Sequence, residues 1–377
     1  MVSKTLTMLS VGDLILYHPD PKSLFASVTP VLRSADVVIG QGEITFTSRG
    51  VITCAKSAFD HEAMPACDPS CISALSLAGF NVITLASNHV WDAGIPGIED
   101  TIDGLKSYDI AFVGAGMNID EARRPAVIER NGTRFGFLNY NCVGPEVTWA
   151  SPTKPGCAYV HILTYYELAD PCPGAPPMVY TAAEPHSLQA MVDDISKLRP
   201  LCDVLMVKFH KGIGFVPTKI AGYEQQVSHA AIDAGADVVM GEHAHILKGI
   251  EVYKGKTIFH NLGDFICSMR GLPADAKPTH QARIKELYNI APDPENPTDL
   301  RHPDASKTII AKCTIIDGKI IRSSYLPCMI NKQDEPEVLR NDDRGQQVFD
   351  YMGKITKEAG LNALYEWEGD EVVIYSE

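Results

Sequence analysis

The chain has 377 residues, 45% of them hydrophobic and 21% charged, with a formal net charge of −14. That length and balance fit a folded protein with a large core and exclude a mainly disordered chain. The negative charge argues against nucleic acid or an anionic membrane surface as an electrostatic partner.

Residues 1–13, MVSKTLTMLSVGD, contain no long apolar stretch or small-residue cleavage site and run straight into the first predicted strand, Thr7–Val11. No segment reaches the roughly 18 apolar residues of a spanning helix. No membrane anchor and a cytoplasmic location are therefore expected. Ten cysteines without a CxxC pair are expected to be reduced thiols.

Gly12-Asp13 closes the first strand, where a carboxylate faces a site at the strand's carboxyl end; a plain turn residue is the alternative. The second predicted strand, Val37–Gly40, runs into Gln41-Gly42-Glu43, and the two oxygens of Glu43 can bridge cations or simply face solvent. Arg49 is a basic candidate for an anionic group. A predicted helix, Pro69–Ala78, leads to the strand Val82–Ala86 and then to Ser87-Asn88-His89-Val90-Trp91-Asp92. There the Asn88 carbonyl is a hard ligand, His89 can give a proton to a leaving group, and Asp92 can fix that imidazole's orientation. The alternative is a helix cap at Asn88 beside a structural histidine.

A helix over Gly97–Tyr108 and strands over Ile110–Val113 and Arg134–Tyr140 follow. Residues 141–185, rich in proline and glycine, are too long for an ordinary connection and are expected to fold over the site as a loop, a surface excursion being the alternative; His161 can reach the pocket or be a structural or surface histidine. Next come the helix His186–Lys197 and the strand Val204–His210, which ends in a candidate metal ligand, His210. Lys211 is placed to meet an anionic group on a substrate. The helix Tyr223–Ala234 leads to the strand Val238–Gly241 and to Gly241-Glu242-His243-Ala244-His245. Two imidazoles spaced i, i+2 can converge on one metal or on neighbouring metals. The strand Thr257–Asn261 ends in a polar cluster, with Asn261 and Asp264 expected to support the ligands from behind. After a polar stretch over 271–306, a hairpin turning at Asp317-Gly318, a helix over Gln346–Ala359 and a final hairpin at Glu368-Gly369-Asp370 make an α+β extension.

Repeated strand-then-helix order marks a layered α/β domain with functional groups gathered at strand ends. The expected organisation is one domain over residues 1–270, carrying the inserted loop 141–185, with residues 271–377 packed on it as a C-terminal extension.

The ordered set Gly12-Asp13, Gly42-Glu43, Ser87-Asn88-His89 with Asp92-x-Gly94, His210-x-Gly212, Gly241-x-His243-x-His245 and Asn261-Leu262-Gly263-x-Phe265 resembles the poly-γ-glutamate capsule-synthesis (CapA-type) family. That family is itself similar to calcineurin-like metallophosphoesterases. The resemblance spans approximately residues 6–266 and implies a four-layer α/β/β/α sandwich with one or two divalent ions, manganese, iron or zinc. By that likeness Asp13 and His245 serve one metal, Asn88, His210 and His243 the other, and Glu43 bridges them. A water or hydroxide shared between the cations would be the nucleophile, and His89, steadied by Asp92, would protonate the departing atom. The implied substrate is a small or short-polymer anionic molecule with a phosphoester or an amide, γ-glutamyl-type bond. The alternative role is a non-catalytic component of capsule-type polymer synthesis, and a homo-oligomer is compatible with either.

The chain also departs from the pattern. The Asp-x-His motif of the phosphoesterases is absent, because Leu14 and Ile15 follow Asp13 and the nearest histidine is His18. The first metal is then one ligand short unless His18 or an inserted loop supplies it, and a mononuclear site is the alternative. Glu242 stands where the family often has histidine, and Asp264 where asparagine is more usual.

Overall fold

A computed structural model of the protein describes residues 5–49, 64–168, 174, 177–271 and 302–376. Apolar alternation with a period of two decides the architecture. In the strand Leu6–Leu16, Leu6 and Met8 face one side while Leu9 and Val11 face the other, and Val37, Val38 and Ile39 alternate in the same way. Strands that are apolar on both faces must be covered on both.

The strands Leu6–Leu16, Val37–Gly42, Val82–Thr84 and Ala111–Val113 lie side by side and parallel. A second sheet runs in the order Ala126–Arg130, Thr133–Asn141, Val204–Lys211, Val238–His243, Lys256–Leu262, Leu247–Tyr253, with parallel pairing at its centre. The two sheets meet face to face through Met8, Ile39 and Val82 on one side and Phe137, Met206 and Met240 on the other. Helices Cys71–Ala78 and Gly94–Ser107 cover the outer face of the first sheet with Leu75 and Ile102. Pro185–Leu198 and Gly222–Ala234 cover the second with Ile195 and Val227. Each such aliphatic side chain contributes about 1.5–3 kcal/mol on full burial. The result is the expected four-layer α/β/β/α sandwich.

The first strand changes partner midway. Its start, Leu6 to Ser10, pairs antiparallel with Lys307–Ile316, whereas Asp13 to Leu16 pairs parallel with Asp264–Ser268. The change falls at Gly12, where an added Cβ would stand 1.8 Å from the Gly263 carbonyl oxygen. Only glycine permits so close an approach. The hairpin Lys307–Ile316 with Lys319–Ile330 widens the same sheet, and the helix Asp343–Glu358 sends Val348, Met352 and Ile355 into the core between the sheets.

Residues 141–185 are not one irregular loop, which corrects the sequence expectation. Ile162–Leu168 pairs with Pro177–Ala183 in a two-stranded ribbon that exposes Tyr165, Tyr166, Leu168, Met178 and Val179. The many prolines of the segment mask this local strand pattern. Closer to Asn141, the chain packs beside the turn that carries His89: Gly156–Cys157 pairs with Ala115–Gly116, and Lys154 Nζ lies 4.1 Å from the centre of the Trp91 ring. Of the polar stretch 271–306, residues 272–301 lie outside the described residues. Eight cysteines among the described residues are free and buried. No helix among the described residues is long and apolar enough to cross a membrane.

Candidate metal centre

Parallel strands bring their carboxyl ends to one rim, and side chains leaving the inner faces of both sheets meet there. Asp13, Glu43 and Asn88 come from the first sheet and the turns that follow its strands. His210 and His243 end strands of the second. Strand parity selects which side chains enter. His210 shares its face with Met206, which packs between the sheets, while Lys211 points to the opposite face.

Asn88 Oδ1 lies 2.7 Å from His210 Nε2 and 3.2 Å from His243 Nδ1, and those two imidazole nitrogens are 3.0 Å apart. Glu43 Oε1 is 3.5 Å from His210 Nε2. Glu43 is wholly buried, and neither of its carboxylate oxygens has a hydrogen-bond partner. A second group stands alongside. His245 Nδ1 is 2.8 Å from Asp264 Oδ1 and 3.9 Å from Asp13 Oδ2. Asp13 Oδ2 accepts the His243 backbone N–H at 3.0 Å and so joins the two groups, while its Oδ1 is buried without a partner.

The backbone is strained at this point. His243 has φ of 89° and His245 of 56°, a left-handed region that residues with a Cβ adopt uncommonly. Such outliers concentrate at functional sites. Electrostatics are equally one-sided. Burial, aided by Asp264 and opposed by His245, raises the Asp13 carboxyl to about 7. Burial and the charge of Asp13 lift Glu43 well above the carboxylate range. For His245, burial disfavours the imidazolium, but Asp264 and then Asp13 and Glu43 outweigh it and carry the ring up to about 10.

His89 Nδ1 lies 2.6 Å from Asp92 Oδ2, and its Nε2 faces Glu43 Oε1 at 3.8 Å. Asp92 Oδ2 also accepts the Met64 N–H at 2.7 Å, which holds the carboxylate in place. The helix begins at Gly94 with Ala93 at its cap position, so Asn88 is not a cap.

Other expected contacts fall elsewhere. Lys211 is buried, and its ammonium donates to the Glu224 carbonyl at 3.2 Å and to His260 Nδ1 at 3.0 Å, on the helix-covered face. The strand's own alternation sends it away from any substrate. Arg49 is engaged at the surface by Asp100 at 2.6 Å and Glu99 at 3.2 Å. His18 sits in an outer turn, with Nδ1 2.7 Å from the Asp20 carbonyl oxygen. His161 packs on the inserted segment, its ring 4.9 Å from that of Trp149. Asn261 Oδ1 accepts the Gly263 N–H at 2.9 Å and shapes the turn that delivers Asp264. Glu242 forms a buried ion pair with Lys208, whose ammonium also donates to the Val11 carbonyl at 3.0 Å. A lysine at an inter-sheet position of a core strand, as Lys208 is, is itself a sequence signal of a buried partner.

Glu43, Asn88, His210 and His243 make a mixed oxygen and nitrogen donor set of the kind that suits manganese, iron or zinc. The partnerless buried oxygens of Glu43 and Asp13 are positions where a cation would offset the cost of burying charge. The residues therefore fit a divalent ion.

Known proteins resemble this chain along much of its length. The family model described as bacterial capsule synthesis protein PGA_cap matches residues 7–269. Capsule biosynthesis protein CapA of Bacillus anthracis is 27% identical over 274 residues, 70% of this chain and 60% of that protein. PGA biosynthesis protein CapA of Bacillus subtilis is 27% identical over 245 residues, 65% of this chain and 56% of that protein. The chain thus spans less than two thirds of the length of these curated relatives. Among solved structures, the NAD nucleotidase of Haemophilus influenzae aligns over 93% of this chain and 63% of its own, at 12% identity and a TM-score of 0.40, too distant to carry a functional argument. With the family model covering well over half of its length, this chain belongs to the bacterial capsule synthesis (PGA_cap) family.

Proposed function

We propose that this protein is a metal-dependent hydrolase cleaving a phosphoester or an amide, γ-glutamyl-type bond in a small or short-polymer anionic substrate. The observation that carries this reading is the convergence of Glu43, Asn88, His210 and His243, with the His89–Asp92 pair directly beside Glu43. These four residues would hold one divalent ion, and Asp13 and His245 would contribute to a second. A cation in such a place acidifies water toward neutral pH and draws electron density from the bond to be cleaved.

The protein's own groups do the rest. Asp92 accepts from His89 Nδ1, which leaves Nε2 turned toward Glu43 and the site. In its protonated form the ring donates that Nε2 proton to the departing oxygen or nitrogen. The carboxylate of Asp92 holds the imidazole at the angle this transfer requires.

Two relatives are named for capsule or PGA biosynthesis. Those names support a γ-glutamyl amide among the candidate bonds. They also support a second reading, a non-catalytic part in polymer synthesis. The test is hydrolysis of phosphoesters and γ-glutamyl amides by purified protein supplied with manganese, iron or zinc. Turnover is expected to vanish on chelation and to fall about 10²–10⁴-fold in His89→Ala with metal content unchanged. Protein that binds the ions yet cleaves neither bond type would sink the hydrolase reading and leave the polymer-synthesis role.

A further inference from the structure

We propose that Asp264 is a direct ligand of a second cation, completing with Asp13 and His245 a site of two carboxylates and one imidazole. The proposal rests on the metal-dependent reading above and adds a ligand that the family resemblance does not supply.

The chain lacks the histidine of an Asp-x-His motif. Leu14 and Ile15, which follow Asp13, are packed in the core, and His18 is held in an outer turn against the Asp20 carbonyl. The replacement comes from another strand. Asp264–Ser268 runs parallel to the end of the first strand with Asp264 in register with Asp13, so the two carboxylates leave adjacent strands at the same level. Paired strands lie about 4.8 Å apart, and the glycine at position 12 lets Gly263 come close enough to start that pairing.

Each of the three residues offers an atom within 4.8 Å of the other two. Asp13 and Asp264 are almost wholly buried, and Asp13 Oδ1 has no hydrogen-bond partner. One imidazole between two buried carboxylates, with Glu43 close by, leaves the group short of positive charge. A cation supplies it. Phe215 lies nearly parallel to the His245 ring, with centroids 5.6 Å apart and planes at 27°, which packs the imidazole from one side. Two carboxylates and a single imidazole favour a harder ion, such as manganese(II) or magnesium, than the group next to it, where two imidazoles stand with two oxygen donors.

The competing role for Asp264 is that of a positioning residue that only orients His245. Replacing a partner behind a metal ligand typically weakens binding by about 10–100-fold, so the size of the effect separates the two roles. Full-length protein would be stripped with chelator, reloaded with manganese, and its ions counted by elemental analysis and titrated by calorimetry. Wild type is expected to hold two ions. Asp264→Ala should hold one, and Asp264→Asn, which can still accept a hydrogen bond from His245, should weaken the second ion by more than about 100-fold. His210→Ala should lose the other ion, and circular dichroism of each variant should match wild type. Two ions retained in Asp264→Asn with a smaller loss would overturn the proposal, as would a single ion in wild type that Asp264→Ala leaves in place. Either result spares the hydrolase reading. Wild type that binds no ion would end both.

Discussion

Lys208 and Glu242 show how one buried pair can set the shape of a site. Both are enclosed between the sheets, and their ion pair, with the Lys208 bond to the Val11 carbonyl, ties the second sheet to the first one residue before Gly12. Removing one partner leaves a buried charge alone, which costs about 3–5 kcal/mol. Lys208→Met should therefore lower stability by that order in urea unfolding, and Lys208→Met with Glu242→Leu should regain most of it. Equal losses in the single and double variants would contradict the coupling. At this scale much of the site was legible beforehand. Asp13, Glu43, Asn88, His210 and His243 each follow an apolar run, and parallel strands carry such ends to one rim. Adjacency to His210 is misleading for Lys211, because successive side chains of a strand leave on opposite faces. The geometry of Asp264 was hidden because its strand meets the first strand from more than 200 residues away, a pairing that no local pattern announces.

Among the elements, the outer face of the second sheet carries a buried polar chain that serves stability. Lys211 Nζ lies 3.0 Å from His260 Nδ1, and His260 Nε2 lies 3.0 Å from Glu251 Oε2. The ring thus accepts from the lysine and donates to the carboxylate, which is the neutral imidazole. Burial first, and then the Lys211 charge, hold His260 down to about 4 against an ordinary 6.5. The folded state resists the proton that the unfolded chain takes up. Stability from this residue is therefore complete above about pH 6.5 and is lost as the pH falls toward 4. For Glu251, burial pushes upward, but hydrogen bonds from His260 and His229 prevail and hold it down to about 2. Its stabilising effect is full above its ordinary value of 4.5 and fades only below that. Unfolding free energy should be about 2 kcal/mol lower at pH 5 than at pH 7 from His260 alone, and His260→Gln should flatten the curve between pH 6.5 and 4. An unchanged slope in that variant would assign the effect to other groups.

At the scale of the molecule, the sandwich was readable from the strand-and-helix rhythm, because each core strand is apolar on both faces and each helix on one. The two-stranded ribbon in residues 141–185 was not, since prolines and glycines around it suggested only a loop. The family match stops at residue 269, yet the sheet that carries Asp13 continues through Lys307–Ile316 and Lys319–Ile330. Two sheets of different origin along the chain thus meet at one rim, and the metal reading stands on what that rim gathers. Anomalous diffraction at the manganese, iron and zinc edges, from crystals grown with each ion, tests it most directly. A peak enclosed by Glu43, Asn88, His210 and His243 is expected with at least one of these ions. Crystals that show those four side chains together and no peak among them, with any of the three ions, would contradict it.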